Sequence, residues 1–170
     1  MLIGNIIKKV YFPREILPIS VVTSAAVNFL ISTIIIISFV LISGLGITKY
    51  LLLYPVVLFV QYILSLGLSF IVSSITVYLR DLEHLIGIAI MLLFYATPIV
   101  YSLNTIDSGL VNILKLNPMA HIVEAYRAIF YYQTMPDLKM LGIIFAISLV
   151  LSIIGYKIFK KLEKRFAEEV

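Results

Sequence analysis

The sequence predicts an all-α membrane protein, and three features support that fold class. The chain of 170 residues is 62% hydrophobic and only 13% charged, its mean hydropathy is +1.11, and several apolar runs approach the roughly 20 residues that a helix needs to cross a bilayer. Such runs are much longer than barrel strands, so the spans are helical. We expect four transmembrane helices, an N-terminal interfacial helix and a re-entrant helical hairpin.

The first 15 residues form a basic segment that is too short to cross a membrane. Ile6, Ile7 and Val10 can lie on one side of a helix with Lys8 and Lys9 opposite, which is the pattern of an interfacial helix. The alternative is a frayed basic terminus that only follows the positive-inside rule, and periodicity leaves both open. The order of apolar and basic residues does not fit a signal peptide.

Two long apolar segments follow. The first predicted span covers about residues 16–42 and ends at the turn Ser43-Gly-Leu-Gly46, and the second covers about residues 51–77. Four polar side chains recur every fourth residue in the second span and share a narrow stripe: Gln61, Ser65, Ser69 and Ser73. Small side chains in such a stripe let another helix approach closely, so we expect helix packing. A substrate path is the alternative, for which Gln61 is the residue to test.

A short charged segment precedes the third span and is expected in water at a membrane face. Four charged or titratable side chains stand within five residues of one another: Arg80, Asp81, Glu83 and His84. The third span, at about residues 85–101, has only about 17 residues, near the lower limit for crossing. Pro98 bends or ends it, because proline removes a helical hydrogen bond.

Residues 102–137 break the pattern of long apolar runs. We expect short helices at 108–116 and 120–132, with a turn at Asn117-Pro118 between them. Neither helix can cross, so a hairpin that enters and leaves by the same face is predicted. On its second helix, His121, Glu124 and Arg127 share one side, either as an ion pair at a wet interface or as the lining of a polar path.

The last predicted span covers about residues 138–159, and a charged tail follows at 160–170. With four spans, both termini and the Arg80 segment share one face, which then holds nine of the 13 basic residues. The positive-inside rule therefore predicts cytoplasmic termini and an external 102–137 region.

The sequence predicts neither a catalytic nor a metal site. It has no cysteine, and it contains no phosphate loop, zinc-binding histidine pair or nucleophile elbow. His84 and His121 are predicted on opposite membrane faces. The spans hold few ionisable residues, which argues against a proton-coupled or sodium-coupled carrier. If the chain moves a substrate, a partner is expected to supply the energy.

Five motifs occur in the order and approximate spacing of one family: Lys8-Lys-Val-Tyr-Phe-Pro-Arg-Glu-Ile-Leu-Pro18, Tyr78-Leu-Arg-Asp-Leu82, Thr97-Pro-Ile-Val-Tyr101, Leu116-Asn-Pro-Met119 and Tyr126-Arg127. Over essentially its whole length the chain resembles ABC-2 type permeases of polysaccharide exporters, which move lipid-linked O-antigen, capsule or wall teichoic acid. It is similar to their C-terminal part, since such permeases usually have two more spans ahead of the coupling segment.

The resemblance implies roles for individual residues. The basic segment would be a cytoplasmic coupling helix that rests on an ATPase subunit, and the candidate coupling residues are Lys8, Lys9, Tyr11, Phe12, Pro13, Arg14, Glu15, Arg80 and Asp81. Residues near the end of the third span and in the hairpin would lie along the substrate path, where aromatic faces can stack on sugar rings: Tyr95, Pro98, Tyr101, Asn117, Pro118, Glu124 and Arg127.

The resemblance thus implies a single ABC-2 type transmembrane domain over residues 1–170, in the cytoplasmic membrane of a prokaryote. It would act as a homodimer with a separate ATPase that binds ATP and magnesium, and no nucleic-acid partner is expected. Alternatives are a membrane scaffold, a non-transporting fragment, or an exporter of a drug or small lipid. An enzyme acting on lipid-linked sugars through Asp81, Glu83 or Glu124 is disfavoured, because these carboxylates are predicted on opposite membrane faces.

Overall fold

The structure is a computed structural model that describes residues 13–78, 82–99, 101 and 108–168. Within these ranges the chain forms six α-helices and no strand, which confirms the predicted all-α class: α1 (Ile16–Ile42), α2 (Tyr54–Tyr78), α3 (Leu82–Ala96), α4 (Ser108–Leu114), α5 (Pro118–Arg127) and α6 (Leu138–Glu168). A 3₁₀ turn, Lys49–Leu53, precedes α2, and a π-helical turn, Ala128–Tyr132, continues α5.

Three of the described helices are long and apolar enough to cross a membrane: α1, α2 with its 3₁₀ turn, and α6. The third predicted span is shorter than expected, because α3 has 15 residues, or about 22 Å of helix against a ~30 Å hydrocarbon core. It ends at Ala96, since the residue before a proline disfavours helical geometry and Pro98 has no N–H to donate. The count of four spans stays a prediction.

The helices α2 and α6 approach each other most closely, at two glycines. A Cβ atom on Gly67 would lie 2.8 Å from the backbone nitrogen of Ser152, and one on Gly155 would lie 2.8 Å from the carbonyl oxygen of Gly67. Ser152 Oγ also donates a hydrogen bond to the carbonyl oxygen of Ile63 across the contact, at 2.9 Å. Close backbone packing and a partly buried hydroxyl therefore join these helices, as is typical inside a bilayer.

A small apolar core lies where α5 and its π-helical turn pack against this pair. It contains side chains from α2, from α5 with the turn, and from α6: Val57, Val60, Leu64, Ile122, Ala125, Ile129, Leu141 and Ile144. Helix α1 leans on α2 through two hydroxyl contacts, Thr33 Oγ1 to Tyr54 Oη at 2.6 Å and Thr23 Oγ1 to Tyr62 Oη at 3.0 Å. Most of its side chains are otherwise exposed.

The segment after α5 is fastened to the turn that follows α1. Gly44 and Gly46 have φ angles of 78° and 73°, a region that glycine enters without steric cost. Gln133, which is left-handed at φ 52°, donates from Nε2 to the carbonyl oxygens of Leu45 and Gly46 at 2.8 and 3.0 Å. This contact joins the end of the π-helical turn to the turn after α1.

The structure contains both short helices predicted for the 102–137 region, as α4 and α5. Helix α6 continues past residue 159 into the predicted tail.

Candidate functional site

The motif that begins at Thr97 lies at the end of α3, where Thr97 and Pro98 are buried. Thr97 Oγ1 donates to the carbonyl oxygen of Leu93 at 2.7 Å and accepts a hydrogen bond from Asn117 Nδ2 at 2.9 Å. Because Pro98 stops the helix, the carbonyl groups of the residues that follow α3 have no helical hydrogen-bond partner. They need donors from another element.

Arg127 supplies donors for the carbonyl groups that follow α3. Its Nη2 lies 2.9 Å from the carbonyl oxygen of Pro98 and 3.3 Å from that of Tyr101, while its Nη1 pairs with Glu124 Oε1 at 2.6 Å. A guanidinium group has five N–H donors in a rigid fork, so one side chain can serve a carboxylate and two carbonyls together. Arg127 therefore fixes the end of α3 to α5.

Asn117, at the start of α5, also contacts the end of α3. Its Oδ1 accepts from the backbone nitrogen of Met119 at 3.0 Å and caps the helix, and Pro118 occupies the start of the helix, where a missing N–H costs nothing. Its Nδ2 is the donor to Thr97. One amide thus both begins α5 and holds α3. We call the contacts of Asn117 and Arg127 with residues 97–101 the α3 anchor.

Tyr126 connects α5 to the long helices. Its hydroxyl donates to Gln61 Oε1 at 2.7 Å, and its ring packs against Phe29 and Tyr54 with centroids 5.3 and 5.8 Å away. Burial, and after it the neighbouring Tyr54, raises the pKa of the Tyr126 phenol. Gln61, proposed above for helix packing, thus bonds to the motif tyrosine.

A second polar cluster lies at the other end of the long helices. Lys160 Nζ on α6 lies 2.5 Å from Glu15 Oε2 and 3.4 Å from Glu163 Oε2. Arg14 is exposed and lines a groove of about 160 Å³ together with side chains that include Leu17 and Phe159. The residues just before α1 are therefore joined to the far part of α6 by an ion pair.

The structure brings together most of the predicted path residues but not all of the predicted site. Five of them meet at the α3 anchor or adjoin it: Pro98, Tyr101, Asn117, Pro118 and Arg127. Glu124 forms an ion pair with Arg127. The ring of Tyr95 is exposed, and the backbone carbonyl oxygen of Tyr95 accepts a hydrogen bond from the Tyr101 hydroxyl at 2.7 Å. Six coupling candidates lie outside the described residues: Lys8, Lys9, Tyr11, Phe12, Arg80 and Asp81.

The serine stripe of α2 is spread over two grooves. Ser65 lines a cavity of about 240 Å³ between α1 and α2, together with Gln61, and Ser73 lines the groove near Arg14. Ser69 is partly buried. Sequence reasoning did not select Gly67, Gly155 and Ser152, which make the close contact of α2 with α6.

Sequence reasoning also missed Thr97, Lys160 and Asp137 as contact residues. Thr97 could have been found, because it opens a motif whose proline had already been selected. Lys160 stands among other basic residues near the C-terminus and has no distinguishing spacing. Asp137 directly precedes α6 and accepts from the backbone nitrogen of Met140 at 3.1 Å, the position of a helix cap.

The described helices show the class of protein to which the chain belongs. Three long apolar helices, with the short helix α5 packed against α2 and α6, make this a multi-pass helical membrane protein.

Comparison with known sequences then gives the family. The sequence profile of the ABC-2 type transporter family matches residues 4–131, and the chain belongs to that family. It is 36% identical over 168 residues to the O-antigen export system permease protein RfbA of Myxococcus xanthus, covering 98% of this chain and 65% of that protein.

Two RfbA proteins of Klebsiella pneumoniae, also named O-antigen export system permeases, are 34% and 33% identical over 166 residues. Each alignment covers 97% of this chain and 64% of the relative. The chain therefore spans somewhat less than two thirds of the length of the curated relatives it matches.

Proposed function

We propose that this chain is the membrane subunit of an ATP-driven exporter that moves a lipid-linked polysaccharide of the O-antigen class across the cytoplasmic membrane of a prokaryote. One observation carries the proposal: the chain aligns over 97–98% of its length with three proteins named as O-antigen export system permeases. The α3 anchor supports it, because three of the motifs that carry the family resemblance meet there.

In this proposal residues 1–170 form one transmembrane domain with four crossings. Helices α1, α2 and α6 cross, α3 makes the remaining crossing together with the residues after it, and α4 and α5 form an external re-entrant hairpin. Both termini are then cytoplasmic, and the groove beside Arg14 opens at the cytoplasmic face. The excess of basic residues predicted at that face supports this orientation.

The proposed partners are an ATPase subunit, which binds ATP and magnesium, and a second copy of the permease. Pro13, Arg14 and Glu15 belong to the proposed coupling segment. Arg14 is exposed, so it is available to a partner, whereas Glu15 is engaged with Lys160. A push on the segment would reach α6 through that ion pair.

Affinity purification tests the partner and the docking surface together. The tagged chain is recovered from its own membranes in mild detergent, and the proteins that accompany it are identified by mass spectrometry. We expect a stoichiometric ATPase with the wild-type chain and its loss with Arg14→Glu, because the substitution reverses a charge at the proposed interface. The matched control is Lys139→Glu, the same reversal at an exposed position at the other end of α6.

The outcomes separate the proposal from its alternatives. If Arg14→Glu retains both the ATPase and wild-type export at equal abundance, Arg14 has no coupling role. If the wild-type chain is recovered intact without an ATPase, the exporter proposal fails and a scaffold role replaces it. If the ATPase is present and deletion of the chain leaves glycan export unchanged, the cargo is a drug or a small lipid.

A further inference from the structure

A cavity of about 220 Å³ lies between α5 and the start of α6. Its lining includes three polar side chains, His121, Glu124 and Asp137, above an apolar part formed by residues such as Met140 and Leu141. Of the three, His121 and Glu124 were considered from the sequence as the lining of a polar path, whereas Asp137 was not. The cavity adjoins the α3 anchor, because Glu124 holds Arg127.

Each polar side chain of this cavity uses one of its two polar atoms for the fold. Glu124 Oε1 accepts from Arg127 at 2.6 Å, and Asp137 Oδ1 accepts from the backbone nitrogen of Met140 at 3.1 Å. His121 Nε2 lies 2.7 Å from the carbonyl oxygen of Lys115. Since that carbonyl can only accept, Nε2 is the donor. The side chains are therefore held in place by these contacts.

The second polar atom of each side chain makes no hydrogen bond within the described ranges of the chain. These atoms are Glu124 Oε2, Asp137 Oδ2 and, in the neutral ring, the acceptor His121 Nδ1. All three are acceptors. The cavity thus offers fixed acceptors beside apolar surface, and a ligand that matches it is rich in hydrogen-bond donors and has an apolar face.

Fixed acceptor atoms can bind a metal cation by coordination, or a group with several hydroxyls by hydrogen bonds. Among the described residues, no three histidine, aspartate or glutamate side chains are grouped closely enough to hold a metal ion. Acceptors that are spread around a cavity instead match hydroxyl groups on neighbouring carbons, and the C–H face of a sugar ring matches the apolar part.

We propose that this cavity binds one neutral sugar unit, with Glu124 Oε2, Asp137 Oδ2 and His121 Nδ1 accepting hydrogen bonds from its hydroxyl groups. The inference rests on the proposed function and deepens it, since it places a saccharide subsite beside the α3 anchor. A bound sugar would contact Glu124, which pairs with Arg127. Sugar binding would therefore be linked through Arg127 to the residues that follow α3.

The test uses the full chain in lipid nanodiscs, free of sugar-based detergent, and a panel of neutral methyl glycosides: glucoside, galactoside, mannoside and rhamnoside. Binding is measured by saturation-transfer difference NMR titration. Glu124→Gln and Asp137→Asn keep the oxygen that serves the fold and replace the other oxygen by an NH₂ donor. Glu83→Gln is the matched control, because Glu83 is exposed on α3 outside the cavity.

At least one glycoside is expected to bind the wild-type chain and the Glu83→Gln control equally. Its affinity should fall about tenfold or more in both cavity variants, as expected for loss of a hydrogen bond to a charged group. Circular dichroism and elution volume confirm that the variants are folded. Unchanged affinity in folded variants overturns the inference, as does absence of binding by every glycoside.

A parallel calorimetric titration with calcium chloride tests the competing ligand. Calcium binding that is lost in the same two variants, without glycoside binding, would overturn the inference in favour of a cation site. The ATPase recovery test keeps the two proposals apart. If an ATPase is recovered but no glycoside binds, only the proposed sugar site is wrong. If a glycoside binds but no ATPase is recovered, the sugar site stands and the exporter proposal is wrong.

Discussion

The helices α2 and α3 follow each other in the chain but are held in opposite ways. Helix α2 lies against α6 along its length, close enough that a single methyl group at Gly67 or Gly155 would meet backbone atoms. Helix α3 is uncovered along its length, since every side chain from 83 to 95 except Ile86 is exposed. Its described polar contacts with other elements are confined to the residues that follow it, at the α3 anchor.

The contrast shows that apolar composition does not determine how a helix is held in this structure. Inside a bilayer, apolar side chains gain little by leaving lipid for protein, so association depends on close packing and hydrogen bonds. The α2–α6 contact has both, whereas α3 relies on one arginine and one asparagine at its end. Helices α2 and α6 are therefore held along their contact, whereas α3 is held at its end.

The largest effect is expected from removing the close contact of α2 with α6. Gly67→Ala and Gly155→Ala place a Cβ 2.8 Å from backbone atoms, and such overpacking typically costs about 1–3 kcal/mol. Gly87→Ala in α3 is the control, because a Cβ there meets nothing within 4 Å and alanine favours a helix. Thermal unfolding in detergent should therefore show a lower melting temperature than wild type for the first two variants and no decrease for Gly87→Ala. Equal stability of all three would show that the helices separate readily.

A smaller and local effect is expected from Arg127→Lys. Lysine keeps the charge and can still pair with Glu124, but a compact ammonium cannot serve the carboxylate and the carbonyls of Pro98 and Tyr101 together. Amide hydrogen exchange at residues 93–97 should become about tenfold faster, since hydrogen bonds from charged donors contribute about 1.5–3 kcal/mol.

Two comparisons sharpen that measurement. Exchange within α2 and α6 should not change, because their contact does not involve Arg127. Arg14→Lys, the same substitution at an exposed arginine, should leave residues 93–97 as they are. Faster exchange throughout the molecule would contradict a local role for Arg127.

The smallest effect is expected from Asn117→Asp, which divides the two tasks of one side chain. Aspartate still caps α5 through Oδ1 but cannot donate to Thr97, so the end of α3 should lose about 1 kcal/mol of protection while α5 stays intact. Asn117→Ala loses both contacts and should also loosen α5 by about 1 kcal/mol. Hydrogen exchange reports protection of α3 and α5 separately. Equal effects of the two substitutions on the protection of α5 would show that the capping contact and the contact with Thr97 are not separable.

Much of the fold follows from local signals in the sequence. The bounds of α1 follow from an unbroken apolar run that ends in glycine, and the start of α5 follows from Asn117-Pro118, because both signals act within a few residues. The third span was predicted to reach 101 with Pro98 bending or ending it, and of these two the structure shows the helix ending, at Ala96.

The candidate site was less accessible, because its contacts join residues far apart in the chain. Arg127 meets Tyr101 across 26 positions, and Gln61 meets Tyr126 across 65, distances over which periodicity says nothing. Family motifs selected residues that the structure brings together, but they did not predict the contacts by which Arg127 and Asn117 hold the residues that follow α3. Gly67 and Gly87 look alike in the sequence, and only the packed structure distinguishes them.

Helix α6 is one uninterrupted helix of 31 residues, and it carries a polar cluster near each end. Asp137 precedes its first residue, and Lys160 lies about 35 Å away along the axis. A tilt of about 5° around one end would move the other end by about 3 Å over that length. If the proposed coupling rotates α6 at Glu15, the helix would act as a lever arm and displace its other end by about the length of a hydrogen bond.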